Sequence, residues 1–349
     1  MKQKASSGSK LGLYSFKLMG LLLLIASFSA AWLYMDFQAF RGEPLQIPLS
    51  GVTLEIRPGE HLKRVANRLD EMGVLSKPLY LVALGRYLQF DSRIKAGEFR
   101  LQRGINPQQL LEQLARGQVV QYSLTLIEGE TFKEMMVRIS EHPVLVKTLT
   151  GLDGAAIMNT IGKPDLHPEG RFLPETYYFP RGTSDVEFIR RAFQDMQTFL
   201  QQAWKERGPD LPLKTPEDAL ILASIVEKET GVAAERPLIA GVFIRRLRKG
   251  MKLQTDPTVI YGMGDSFDGD IRYRDLRTDT PYNTYTRFGL PPTPIAMPGK
   301  EAILAALHPA KGEALFFVAR GDGSHRFSST LKEHNRAVNR YQRKKRGKK

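Results

Sequence analysis

Glu229 is the side chain in this sequence best placed for acid–base chemistry. It ends an apolar run that starts after Pro216, and a helical wheel at about 100° per residue puts it on the stripe of Ile221 and Ile225. Glu227 falls on the other side. Burial against hydrocarbon raises the pKa of a carboxyl group, so Glu229 could hold a proton and still release it, as a general acid must. The plainer alternative is a last-turn glutamate paired with an arginine.

Amides, hydroxyls and aromatic rings are concentrated downstream of this carboxylate, among proline-rich turns. Such groups suit sugars, because rings stack on the C–H faces and amides bond to hydroxyls and acetamides. The candidates for binding or orienting a sugar are Gln254, Thr255, Asp256, Tyr282, Asn283 and Tyr285. Glu175, which follows Pro174, is a further candidate, with a turn cap as its alternative. An ordered loop that binds nothing could have the same composition.

Metal and nucleotide chemistry find little support in the residue pattern. Cys is absent, and no two of the six histidines have the i, i+4 spacing of a zinc-binding helix. A glycine-rich phosphate loop is also missing. We therefore expect no cofactor and no metal, and a metal-dependent hydrolase is the weaker alternative.

Helix signals place Glu229 at the end of one element within a larger domain. Thr215 and Pro216 open this helix and Gly231 closes it. We expect an α+β fold with the larger α+β domain over residues 123–342. A small α+β module, which could grip polysaccharide or serve as a spacer, is expected over residues 51–122. Its strand–turn–helix pattern recurs at the start of the larger domain, where Arg138 takes the place of Arg68.

Residues 18–35 form an uncharged apolar stretch just long enough to span a hydrocarbon core as one helix. Aromatic residues stand at its far end and lysines precede it. The positive-inside rule then predicts that residues 1–17 are cytoplasmic and that the rest of the chain lies outside, joined through a linker at residues 36–50. A cleavable signal peptide, with small residues at positions 27–31, is the alternative.

The net charge of +14 is concentrated in the two ends of the chain. Four lysines precede Asp36, and six basic residues fall within residues 343–349, so the part between is nearly balanced. A basic face for nucleic acid is therefore not expected. We interpret residues 343–349 as a disordered basic tail that could touch anionic lipid.

Four segments, taken together and in order, resemble the endolytic murein transglycosylase family, also called YceG-like or MltG. They are residues 223–230, 253–262, 282–285 and 289–292, which read ASIVEKET, LQTDPTVIYG, YNTY and GLPP. The resemblance covers nearly the whole chain after residue 17. The family's catalytic glutamate falls on Glu229.

The resemblance implies a single-pass inner-membrane protein with a LysM-like module over residues 51–122 and a periplasmic catalytic domain over residues 123–342. It implies a lyase that cuts peptidoglycan between MurNAc and GlcNAc within nascent glycan strands, leaving 1,6-anhydroMurNAc ends and ending strand elongation. Glycan strands and the inner membrane are the expected partners, with peptidoglycan synthases as further candidates and no nucleic acid. The alternative from another class is a non-catalytic anchored scaffold that binds peptidoglycan for wall-synthesis enzymes.

Overall fold

The computed structural model describes residues 8–343, and side chains over residues 14–342. Much of the basic tail and the first residues of the expected cytoplasmic segment lie outside this range. The chain divides into a unit that ends at Gln121 and a unit that begins at Tyr122. Both contain helices and short strands, so the fold is mixed α+β, as predicted.

The first unit has the order helix, strand, two helices, strand, helix. Its elements are α1 (Gly8–Gly42), β1 (Val52–Ile56), α2 (Leu62–Glu71), α3 (Pro78–Tyr87), β2 (Gly97–Leu101) and α4 (Pro107–Arg116). Strands β1 and β2 are antiparallel, with Val52 opposite Leu101. Every second residue of β1 faces inward and joins a core that contains Leu54, Leu69 and Phe99.

Helix α1 carries the predicted membrane segment. Within the part of the chain that the structure describes, Tyr14–Gly42 is the one helix long and apolar enough to cross a membrane, with a mean hydropathy of 2.0. We expected the apolar helix to end at residue 35, and the structure shows that it is longer. It continues through Gly42 because residues 36–42 carry further apolar side chains that find a partner surface in the first unit.

The expected linker at residues 36–50 is therefore partly helix and partly core. Phe40, Leu45 and Ile47 are buried together with the core of the first unit. The ring of Phe40 packs edge-on against Tyr80 at a centroid distance of 5.6 Å. Since these contacts fix the end of α1, the apolar helix passes into the folded core with little free chain between them.

The second unit is built around helix α8. Its elements are β3 (Gln121–Thr125, which starts at the boundary), α5 (Phe132–Glu141), α6 (Gly154–Thr160), β4 (Thr176–Pro180), α7 (Asp185–Lys205), α8 (Pro216–Glu229), α9 (Arg236–Arg248), α10 (Asp256–Met263), α11 (Lys300–Leu307), β5 (Phe316–Ala319), β6 (His325–Ser328) and α12 (Leu331–Val338). Helices α7, α9, α10 and α11 pack against α8. Strands pair as β3 with β4 and β5 with β6.

The internal repeat expected from the sequence is confirmed in three dimensions. In each copy a strand leads through a glycine with positive φ, Gly59 at 78° and Gly129 at 79°, into a helix. The glutamate after each glycine forms an ion pair with the matching arginine, Arg68 in one copy and Arg138 in the other. Each copy then continues through a second helix to a strand that pairs with the first. The second copy thus forms the opening part of the second unit.

Candidate active site

Glu229 is the last residue of α8, a helix whose middle is buried on all sides. The helix starts with Thr215 as N-cap, which accepts a hydrogen bond from the Asp218 backbone, and with Pro216 in the first turn. Every residue from Ala219 to Val226 is buried. The helical wheel placed the apolar residues on a stripe, whereas the structure buries this part of the helix on every side. Glu229 is partly buried because α8 runs from the core toward the surface and ends at this residue.

Thr255 is the direct partner of this carboxyl group. Its hydroxyl donates a hydrogen bond to Oε1 of Glu229. Thr255 is itself fixed, because its backbone N–H donates to Oγ1 of Thr284 at 3.1 Å. That hydroxyl lies 2.9 Å from Oγ1 of Thr258. Buried hydroxyls thus connect the end of α8, the start of α10 and the loop at residue 284.

The surroundings of Glu229 favour its neutral form. Burial is the largest effect and raises the pKa of Glu229 to about 7. The hydrogen bond from Thr255 lowers this pKa, the charge of Asp256 raises it, and the charge of His325 lowers it. A carboxyl group with this pKa carries a proton for a substantial part of the time at neutral pH, which is the state that a general acid requires.

Asp256 and Tyr285 form a second polar pair beside Thr255. The Tyr285 hydroxyl donates to Oδ1 of Asp256 at 2.5 Å. Burial, followed by this hydrogen bond, raises the pKa of Tyr285, and the charge of Glu229 acts in the same direction. Gln254 is exposed next to Thr255, and its φ of 52° is unusual for a residue with a side chain. These candidates from the sequence therefore lie together with Glu229.

Asn283 does not present its amide to a ligand. It is buried, and its Nδ2 donates to the carbonyl oxygens of Asp275, Leu276 and Thr278 at 3.2, 3.2 and 2.7 Å. Its Oδ1 accepts from the backbone N–H of Tyr285 at 2.9 Å. The side chain thus holds the loop that carries Tyr285.

Glu175 is also separate from the Glu229 group. It is exposed at the start of β4 and pairs with Lys300 at 2.9 Å. The hydrogen bond from Lys300 is the main cause of a lowered pKa for Glu175, so this group is an anion at neutral pH.

Glu227 has a structural role distinct from that of Glu229. Its carboxylate lies 3.3 Å from the Arg236 guanidinium and accepts a hydrogen bond from the backbone N–H of Gly299 at 2.9 Å. Lys228, between the two glutamates, donates to the carbonyl oxygen of Gly129 at 3.1 Å. The turn of the second repeat copy is thereby attached to the end of α8.

A groove of about 1190 Å3 lies between α5 and α10. Lys228 and Pro257, the chain neighbours of Glu229 and Asp256, are among its lining residues. So is Tyr282, a candidate from the sequence, whose hydroxyl lies 2.8 Å from Oγ1 of Thr293. The groove thus reaches the chain neighbours of Glu229 and Asp256, while neither carboxyl group is among its lining residues.

Comparison of the whole sequence with known protein families identifies the family of this chain. The YceG-like family matches residues 54–340 of this sequence. The chain belongs to the YceG-like family. The resemblance stated from its motifs is therefore confirmed, and three of those motifs meet at Glu229, Thr255 and Thr284.

Two relatives of this YceG-like chain carry the name endolytic murein transglycosylase. It is 32% identical over 309 residues to a protein of Bacillus subtilis (strain 168) named endolytic murein transglycosylase, covering 83% of this chain and 84% of the relative. It is 26% identical over 330 residues to a protein of that name from Streptococcus pneumoniae serotype 2 (strain D39 / NCTC 7466), covering 82% of this chain and 58% of the relative. The chain thus spans little more than half of the streptococcal protein.

A solved structure of a YceG-like protein also matches. The crystal structure of a yceG-like protein from Listeria monocytogenes is 30% identical and gives a TM-score of 0.51, covering 82% of this chain and 98% of that one. The similarity thus extends over most of both chains.

Two buried carboxyl groups of this YceG-like chain escaped the sequence reasoning. Glu169, in the groove, accepts a hydrogen bond from Tyr261 at 3.1 Å. Glu235 accepts from the backbone of His325 at 2.8 Å and lies 2.7 Å from its Nδ1. Both pairs join residues about ninety positions apart, so no local pattern reveals them.

Proposed function

We propose that this chain is a membrane-anchored endolytic lytic transglycosylase that cuts peptidoglycan glycan strands between MurNAc and GlcNAc. The observation that carries the proposal is Glu229, a carboxyl group with a pKa of about 7 at the end of a buried helix, bonded to Thr255 and preceded in the chain by Lys228, which lines a groove. The names of the relatives from Bacillus and Streptococcus support this class of reaction.

In the proposed mechanism one carboxyl group handles both proton transfers. Protonated Glu229 donates its proton to the glycosidic oxygen while the bond from that oxygen to C1 of MurNAc breaks, and positive charge develops on the sugar. The resulting carboxylate accepts the proton of the C6 hydroxyl of the same MurNAc. O6 then bonds to C1, which yields a 1,6-anhydro end and restores protonated Glu229. Thr255 suits both states, because a hydroxyl can donate to a carboxylate or accept from an acid.

The remaining parts of the proposal concern placement. We propose that α1 is an uncleaved inner-membrane anchor with its start in the cytoplasm and that both units lie in the periplasm, where cutting nascent strands would end their elongation. The strand–helix–helix–strand order of residues 52–101 supports a LysM-like, glycan-binding role for the first unit. Peptidoglycan synthases are the further partners proposed.

The test is digestion of purified sacculi by the full chain in detergent, with mass spectrometry of the released fragments. Fragments with 1,6-anhydroMurNAc ends are expected from the natural sequence, and Glu229→Gln should reduce their rate of formation by about 10²- to 10⁴-fold. Glu227→Gln is the matched control and should keep most of the activity, since its neighbour Arg236 still has Glu128 at 3.6 Å.

The outcomes of this digestion separate the competing functions. Normal turnover by Glu229→Gln would contradict the mechanism. Binding to sacculi without new ends would favour the non-catalytic scaffold. Loss of cleavage on adding a chelator would indicate a metal-dependent hydrolase, although over residues 8–343 no three acidic or histidine side chains are grouped to hold a metal ion.

A further inference from the structure

The groove lined by Lys228, the chain neighbour of Glu229, has an aromatic side that the proposed mechanism does not use. Tyr261 on α10 and Tyr282 in the following loop both line it, with ring centroids 4.8 Å apart and planes at 65°. Both side chains are partly buried. Gly262 permits this approach, because a side chain there would meet Oγ1 of Thr280 at 2.9 Å and Cβ of Tyr282 at 3.1 Å. The two rings therefore form a compact pair that depends on a glycine.

The hydroxyl groups of this pair are occupied by protein partners. Tyr282 is bonded to Thr293, and Tyr261 donates to Oε2 of Glu169 at 3.1 Å. A tyrosine whose hydroxyl is held in this way offers a ligand its ring rather than its polar end. Ring surfaces next to charged groove residues such as Lys228 and Glu130 match a pyranose, which has apolar C–H faces and a polar rim.

Glu169 is the fixed point behind the pair. It is 4% exposed, and its Oε1 accepts from the backbone N–H of Phe132 at 2.9 Å, so the carboxyl group is held from two sides. Gly170 keeps this segment in place: its φ is 76°, and a side chain there would lie 2.4 Å from Cβ of Pro294. Burial raises the pKa of Glu169 to about 7.

We propose that Glu169 is a positioning residue for substrate, which fixes Tyr261 so that the Tyr261–Tyr282 pair forms a platform for a sugar ring of the glycan strand. The platform shares its groove with Lys228, the residue before Glu229, and with Pro257, the residue after Asp256. It therefore holds a sugar near, but not at, the bond that is cut. This inference rests on the proposed function and adds to it the side chains that bind the strand.

The first test is steady-state cleavage of soluble uncrosslinked glycan strands by full chains in detergent. We expect Tyr261→Ala and Glu169→Ala to raise KM about tenfold or more while kcat changes less than about threefold. Glu169→Gln should restore a near-normal KM, because its amide can accept from Phe132 and donate to the Tyr261 oxygen. An unchanged KM in Tyr261→Ala would overturn the platform. A fall of kcat in Glu169→Gln as large as that in Glu229→Gln would make Glu169 catalytic instead.

A second measurement stands apart from catalysis and from any misfolding of the alanine variants. Tyr261→Trp in the Glu229→Gln chain keeps a ring at the platform and makes it fluorescent. Adding chitotetraose should give a saturable change in emission beyond that of the Glu229→Gln parent, whose own two tryptophans provide the control. No difference from the parent would overturn the inference. If this saturable difference is seen but the chain of natural sequence makes no anhydro ends from sacculi, the platform is supported and the proposed function is contradicted.

Discussion

Thr255 stands at the N-cap of α10, yet its hydroxyl bonds to Glu229 and not to its own helix. An N-cap threonine ordinarily accepts a hydrogen bond from a backbone N–H in the first turn, and α10 has no such side-chain bond. The hydroxyl is instead directed at the carboxyl group that ends α8. The start of one helix is thus tied to the end of another at the carboxyl group proposed to carry the catalytic proton.

Replacing Thr255 should change the acidity of Glu229. The hydrogen bond lowers the pKa of Glu229, so Thr255→Ala should raise it and move the high-pH decline of kcat/KM to higher pH. We expect kcat/KM at its optimum to fall about tenfold, in line with roughly 1.5 kcal/mol for a bond to a charged group. Thr255→Ser keeps the hydroxyl and is the control. A decline at the same pH in both variants would show that this bond does not set the acidity.

Stability should fall as the pH rises from about 4.5 to about 7. The pKa values of Glu229 and Glu169 are raised to about 7 from 4.5, so over this range the folded chain keeps protons that the unfolded chain releases. The contribution of each group to the free energy of unfolding is roughly 3 kcal/mol. It is complete below pH 4.5 and is lost as the pH rises through about 7. Denaturant unfolding of the full chain in detergent, compared with Glu169→Gln/Glu229→Gln, measures it. Parallel pH curves for the two chains would contradict the raised pKa values.

The sequence located the proposed acid, but not all the reasons for its position. Cap residues such as Thr215 and Pro216 act within one turn, and the start of α8 was therefore predictable. The burial of α8 on every side depends on helices far away in the chain, which a helical wheel of this one segment does not include. Glu229 could be singled out because its residue type and its place at the helix end are local facts, and its catalytic role stays a prediction.

Asn283 should contribute to stability more than to sugar binding. Asn283→Ala leaves three loop carbonyls without their donor and frees the backbone of Tyr285, which should cost roughly 1–3 kcal/mol of unfolding free energy. We expect kcat to fall with little change in KM, because the loop that carries Tyr285 loosens. Asn159→Ala, at an exposed helical position, is the matched control. A rise in KM with unchanged stability would return Asn283 to the sugar-binding set.

Phe40 should hold the end of α1 against the core of the first unit. Phe40→Ala removes a buried ring from that core, and large-to-small changes of this kind cost about 3–5 kcal/mol. Hydrogen exchange in detergent should then become faster over residues 36–47. Phe28→Ala, whose ring is 76% exposed on the same helix, should leave this exchange unchanged. Equal exchange in the two variants would contradict a role for Phe40 in holding this segment.

The residues whose roles were wrongly predicted or missed have partners that come close only when the chain folds. Asn283 was expected to meet sugar because of its residue type, while its actual partners are backbone carbonyls that no composition reveals. Glu169 and Tyr261 are far apart in sequence, and their bond exists only once α10 has packed in the second unit. Residues 36–50 looked like a linker because single apolar residues there, including Phe40, have no visible partner until the first unit folds.

Titration of the Glu229 carboxyl group itself tests the central claim most directly. Carbon-13 NMR of the full chain labelled at glutamate side chains, with Glu229→Gln to assign the signal, gives its protonated fraction at each pH. The account predicts half-protonation near pH 7, because burial outweighs the hydrogen bond from Thr255. Half-protonation near pH 4.5, the value of an unperturbed glutamate, would leave no proton to donate at neutral pH and would contradict the mechanism.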